Sequence, residues 1–259
     1  MEQKATRTSV VSVEALTLPG PLPARLYRTA AGRRGMVIYF EGGPGVSLDQ
    51  VHPQPIRFFS SQGFDVLVVA YRGSSGHGAK HYLDLTGDVA AIAHADLSVA
   101  KGWARMQGGR VGFFGSSFGG LAGVVEVMRG GEGLDFVVLD SPLIAIRPRD
   151  CQGHLTRVYG TVVTAAGCKI ATPKLPDTAA LTAVPVFLLT GEKDIATPAA
   201  TALSWSKAYE TAGGCLTTLW SKTAGHGVFG WPDPDRTEVE RTLAAWLADP
   251  SCAKGVRAL

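Results

Sequence analysis

A chain of 259 residues, 46% of them hydrophobic, can bury a large core, and α/β folds of this length often form one domain, so residues 1–259 read as a single domain. A net charge of +3 without a basic, aromatic-interleaved stripe gives no reason to expect a nucleic-acid partner, and no run approaches the roughly 18 apolar residues of a membrane span. The segment Met1-Glu2-Gln3-Lys4-Ala5-Thr6 has no apolar h-region, which points to the cytoplasm unless a leader has been removed.

In chain order, Ser9 to Thr29 predicts an antiparallel hairpin: Val11, Val13 and Ala15 alternate with polar neighbours before Pro19-Gly20-Pro21 turns the chain towards Ala24 to Tyr27. Five short apolar runs follow, Met36 to Phe40, Val66 to Ala70, Val111 to Phe114, Phe136 to Leu139 and Val186 to Leu189, with a last strand expected over Leu216 to Trp220. They are continuous rather than alternating, as strands covered on both faces are. Helical patterns over 55–62, 86–106, 118–129, 198–211 and 235–248 alternate with them, which predicts βαβ crossovers and a mostly parallel eight-stranded sheet. The alternation breaks at about 143–181, too long for a simple connection. This segment is expected to form a lid after the sixth strand; its excess of Arg and Lys would favour a carboxylate-bearing substrate, and a solvated face is the plainer reading.

The four cysteines, Cys151, Cys168, Cys215 and Cys252, show no CxxC and no metal-ligand spacing, so neither metal nor cofactor is expected. A Cys151–Cys168 disulfide and free buried thiols remain alternatives.

Ligands bind outside the carboxyl ends of strands in open α/β sheets, and here those ends carry distinctive loops. The run Val111 to Phe114 stops at Gly115-Ser116-Ser117-Phe118-Gly119, with a Gly- and Ala-rich helical stretch after it: the strand, turn, helix context of a nucleophile elbow. Small residues two positions away are what the strained serine backbone demands. Gly115 and Gly119 flank Ser117, whereas Phe114 and Phe118 would flank Ser116, so Ser117 is the candidate nucleophile. A serine hydroxyl needs a base. His226, in Ala224-Gly225-His226-Gly227 beyond the last strand, is the best placed; His52, His77, His81, His94 and His154 all come earlier. Asp194 follows a strand and is the candidate acid, with Asp140 as rival and Glu192 a weaker third. The order Ser117, Asp194, His226 is that of an α/β-hydrolase triad. For a developing oxyanion, the amides of Phe118 and Gly43 are the candidate donors. Gly42, Gly43 and Gly45 lack GxGxxG spacing, which argues against a dinucleotide site.

Together these motifs resemble the catalytic domain of prolyl-oligopeptidase-like and prolyl-aminopeptidase-like serine hydrolases. Glu41-Gly42-Gly43-Pro44-Gly45 is similar to their His-Gly-Gly-Pro-Gly loop, and Tyr71-Arg72-Gly73-Ser74-Ser75-Gly76 to their Tyr-Arg-Gly-Ser-x-Gly; Gly115-Ser116-Ser117-Phe118-Gly119-Gly120 and Gly225-His226-Gly227 complete the set. The resemblance covers roughly residues 35–248. It implies an α/β-hydrolase fold, a Ser117–His226–Asp194 triad, and Gly42, Tyr71 and Arg72 around the substrate; His77, flanked by Gly76 and Gly78, is a further candidate to line the pocket. Two departures stand out. Glu41 replaces the family's histidine and is expected to turn away from the oxyanion, towards Arg72. There is also no room for a β-propeller, so size selection would fall to the lid. The resulting expectation is an acyl-enzyme hydrolase of small esters, thioesters or short peptides, esters slightly preferred, acting as monomer or homodimer. An acyltransferase or cyclase on the same site, or a catalytically silent ligand-binding protein, are the alternatives.

Overall fold

A computed structural model describes residues 9–86, 88–144, 184–252 and 256–259. The chain opens with the expected hairpin, β1 (Val10–Leu18) antiparallel to β2 (Leu22–Thr29). Then come β3 (Gly35–Phe40), α1 (Pro53–Ser61), β4 (Phe64–Val69), the short α2 (Ala79–Leu83) and α3 (Val89–Met106). β5 (Arg110–Ser116) runs directly into α4 (Ser117–Met128), followed by β6 (Phe136–Asp140). Beyond residue 183 the chain forms β7 (Val186–Gly191), α5 (Ala199–Thr211), β8 (Leu216–Ser221), α6 (Asp235–Ala248) and β9 (Val256–Ala258).

The nine strands of the described residues join one sheet in the order β1-β2-β4-β3-β5-β6-β7-β8-β9, antiparallel there only where β2 meets β1 and β4. The eight expected strands are all present, and β9 extends the edge beyond β8. The inner strands are buried along their whole length because helices cover both faces. Alternation sorts their side chains: Met36, Ile38 and Phe40 pack with α3, α4 and α5, whereas Val37 and Tyr39 pack with α1 and α6.

Local chemistry sets the helix starts. Pro53 opens α1, where a missing N–H costs nothing. The Asp88 side chain accepts from Ala91 N at 3.0 Å, so α3 begins at residue 89 rather than at 86 as its apolar pattern suggests. Among the described residues no helix is long and apolar enough to cross a membrane. The expected lid lies, beyond Ile144, outside the described residues, as do Cys151 and Cys168.

Cys215 and Cys252 form a disulfide with Cα atoms 5.0 Å apart, tying the start of β8 to the segment after α6. Spacing alone could not select this pair, because the cysteines stand 37 residues apart and meet only through the α6 crossover. In the chain-entropy picture, a Cys215→Ser/Cys252→Ser variant should lose about 2–4 kcal/mol of stability. Urea unfolding without reductant checks this; an unchanged midpoint would mean that the cross-link does not constrain the unfolded chain.

Candidate active site

At the junction of β5 and α4 the backbone turns within one residue. Ser117 has φ 51°, a left-handed conformation that it shares, among the described non-glycine residues, with Ser141 alone. Such a backbone costs on the order of 1–3 kcal/mol and needs tight surroundings to persist. Those surroundings are backbone. A Cβ on Gly119 would lie 2.3 Å from Phe40 O and 2.5 Å from Glu41 O. One on Gly115 would lie 2.7 Å from the Phe113 ring and 2.8 Å from Gly119 O. Ser116, by contrast, is extended (φ −104°, ψ 139°) and ends the strand.

The loop after β3 passes over this turn: a Cβ on Gly42 would come within 3.2 Å of Ser117 Cβ. Tyr71 Oη donates to Glu41 O at 3.0 Å and would lie 2.8 Å from a Cβ on Gly43. Gly42 therefore lies against Ser117, Gly43 and Tyr71 pack together in the same loop region, and Phe118 occupies the first turn of α4, where backbone N–H groups point out of the helix.

Two further loops converge from β7 and β8. Asp194, only 4% exposed, accepts through Oδ2 from His226 Nδ1 at 2.7 Å. Its Oδ1 accepts from Ala196 N (2.9 Å) and Thr197 N (2.8 Å). The Thr197 hydroxyl lies 2.8 Å from Asp194 Oδ2, 2.9 Å from Ser141 O and 3.2 Å from His226 Nδ1. Sequence reasoning missed Thr197, although Asp-x-x-Thr is a recognisable capping pattern. Asp140 does not hold the imidazole. Its Oδ1 accepts from Val228 N at 2.9 Å, beside Ser141 Oγ, which accepts from Gly227 N at 3.0 Å; the end of β6 thus anchors the His226 loop. Glu192 is exposed.

Residues 50–251 match the prolyl oligopeptidase family. The chain belongs to that family. Within the matched span lie Ser117, Asp194 and His226, while Glu41 and the glycines after it precede it. The chain is 31% identical over 122 residues to dipeptidyl aminopeptidase BIII of Pseudoxanthomonas mexicana, an alignment covering 46% of this chain and 18% of that protein. Acylaminoacyl peptidase of Pyrococcus horikoshii superposes with a TM-score of 0.76 at 13% identity, over 96% of this chain and 43% of that one. A puromycin-hydrolyzing peptidase of Mycobacterium tuberculosis gives 0.72 at 18% identity, over 96% and 40%. At such identities the structural likeness shows the fold alone, an α/β-hydrolase fold. The chain spans less than half the length of each of these proteins.

Glu41 does not turn towards Arg72 and stays bound to the glycine loop. Glu41 Oε2 accepts from Tyr39 Oη at 2.5 Å and from His52 N at 2.6 Å, and Oε1 accepts from Gly42 N at 2.7 Å. One carboxylate thereby ties β3, the glycine loop and the start of α1 together. Arg72 instead pairs with Asp96, buried on α3, through Nη2–Oδ1 (2.6 Å) and Nε–Oδ1 (2.8 Å). It braces its loop and does not reach Glu41. His77 packs against His81, ring centroids 5.5 Å apart, and burial lowers its pKa. Among the described residues no group of His, Cys, Asp and Glu could hold a metal ion.

Charge on the imidazole follows from its neighbours. Burial disfavours protonation of His226, but the hydrogen bond and charge of Asp194, with the charge of Asp140, outweigh it, and the pKa lies above 6.5. Burial likewise opposes ionisation of Asp194, but His226 and Thr197 hold its pKa below 3.8. The pair's contribution to stability is thus complete between those two values. It falls as pH drops through the Asp194 pKa, and the histidine's share is lost as pH rises through the His226 pKa.

Two outcomes follow. The His226 ring should titrate above pH 6.5 by NMR, and Asp194→Asn should lower that value, since burial then faces only Asp140. Glu41→Ala leaves the amides of Gly42 and His52 without their acceptor and should cost about 1–3 kcal/mol in thermal unfolding, with Glu41→Gln recovering part of the loss.

Proposed function

We propose that this chain carries the catalytic centre of a serine hydrolase that cleaves peptide or amide bonds through an acyl-enzyme. The observation that carries the reading is the 2.7 Å contact between Asp194 and His226, with His226 lining the same cavity as Ser116, the residue before the left-handed Ser117. A carboxylate bound to Nδ1 fixes the tautomer that leaves Nε2 unprotonated, as a general base requires. In this reading Ser117 Oγ attacks the carbonyl carbon and gives its proton to His226 Nε2. The amides of Phe118 and Gly43 receive the oxyanion, and such donors contribute roughly 3–4 kcal/mol each. His226 then protonates the departing amine, and water, activated by the same imidazole, releases the acyl group.

Membership of the prolyl oligopeptidase family, with relatives described as peptidases, moves the preference from esters to peptides. Glu41 is compatible with this chemistry because its carboxylate is bound by three donors in the wall of the site. The Cys215–Cys252 disulfide favours an oxidising compartment over the cytoplasm suggested by the N-terminal sequence.

A fluorophosphonate probe should label the protein, and Ser117→Ala should abolish labelling and lower kcat by about 10⁴–10⁶-fold. Because the base must be neutral, kcat/KM should rise with pH to a plateau, with its midpoint above 6.5. Labelling that survives Ser117→Ala would remove the proposed nucleophile; absence of labelling would favour the binding-protein alternative.

A further inference from the structure

Beside His226 lies a cavity of about 210 Å³, room for one extended side chain rather than a folded peptide. Its walls come from the three loops that meet at the reaction centre. Glu41 precedes the oxyanion loop, Ser116 precedes the candidate nucleophile, and His226 with Gly227 forms the base loop. Asp140 closes the floor, and His52 and Phe229 stand on the side of α1 and α6. Neither Phe118 nor Gly43, the candidate oxyanion donors, lines it. A substrate group running from the scissile bond into this cavity therefore passes the imidazole that protonates the leaving amine. That is the path of the residue after the scissile bond.

The walls are unbalanced in charge. Glu41 and Asp140 both contribute carboxylates, and no Lys or Arg lines the cavity or pairs with either among the described residues. Asp140 is 2% exposed. Its Oδ1 accepts from Val228 N, Oδ2 lies 3.5 Å from Ser116 Oγ, and the Ser141 hydroxyl also interacts with the carboxylate. Buried carboxylates in proteins are ordinarily matched by a cation, because an unmatched charge in a poorly solvated site is costly. The buried Asp96, Asp65 and Glu126 in this protein each have an Arg or Lys partner. Among the described residues Asp140 and Glu41 have no Arg or Lys partner, and Asp140 faces only His226, whose charge is already shared with Asp194. Burial lifts the Asp140 pKa to about 6, so it is ionised at mildly alkaline pH.

We propose that this cavity is the leaving-group subsite of the hydrolase and that it selects a cationic side chain, lysine or arginine, on the residue following the scissile bond. The inference rests on the serine-hydrolase reading and adds to it the side of the bond on which selection occurs. The cation would supply the charge that the two carboxylates lack, with its aliphatic stem against Pro55 and Phe229.

The test uses the whole chain with three peptide pools, identical and randomised on the acyl side, carrying lysine, norleucine or glutamate after the scissile bond. Cleavage is followed by mass spectrometry at pH 8. Lysine should exceed norleucine by about tenfold in kcat/KM, with glutamate slowest, and the advantage should shrink with added salt. In Glu41→Gln and in Asp140→Asn, the lysine-to-norleucine ratio should fall by about threefold or more; a ratio within one variant is insensitive to lost folded protein. Equal rates for lysine and norleucine, with turnover abolished by Ser117→Ala, overturn the subsite while the hydrolase reading stands. A ratio unchanged in both variants likewise overturns the assignment to these carboxylates. No cleavage of any pool together with no fluorophosphonate labelling overturns the hydrolase reading and this inference with it.

Discussion

The site depends first on how closely α4 approaches the end of β3. With a hydrogen in place of a side chain at residue 119, the first turn of α4 rests on the carbonyls of Phe40 and Glu41. Any Cβ there would penetrate backbone, which cannot move without shifting the sheet. That contact brings Ser117 beneath the glycine loop and fixes its unusual φ. The remaining parts of the site are placed relative to this fixed point: β6 anchors the histidine loop through Asp140 and Ser141, and β7 delivers Asp194. The ends of five adjacent strands, β3 and β5 to β8, thus converge, as expected where parallel strands finish at one edge of a sheet.

Around this point the protein holds an unusual amount of negative charge. Asp194 is balanced by His226, whereas Glu41 is held by N–H and O–H donors and Asp140 mainly by one amide. Dipoles satisfy the lone pairs of a carboxylate but leave its net charge in place. Asp140 also raises the His226 pKa, so the acid at the end of β6 affects the base without touching it. Glu41 is held in the glycine loop by three donors and lines the cavity beside His226.

Much of this was legible in the sequence. Continuous apolar runs located the inner strands because burial on both faces leaves no polar alternation to mislead, and the Gly-x-Ser-x-Gly spacing singled out Ser117 because the steric demand is local. Chain order separated Asp194 from Asp140. What could not be read depended on contacts across the fold. The partner of Arg72 is Asp96, on a helix 24 residues away, and no local pattern links them. The disulfide partners meet only once α6 has crossed back to the sheet, and Thr197 gains its place from packing against Ser141. The cavity lies where loops from β3, β5, β6 and β8 meet, so its acidity became visible only when those loops were assembled.

In the proposed mechanism Ser117 and His226 act as a single unit. Measuring kcat for Ser117→Ala, His226→Ala and the double variant on one peptide substrate tests it most directly. Residues acting together are strongly non-additive, so each single variant should lose about as much as the double one, roughly 10⁴–10⁶-fold. Losses that multiply, or a His226→Ala variant with nearly full activity, would contradict it.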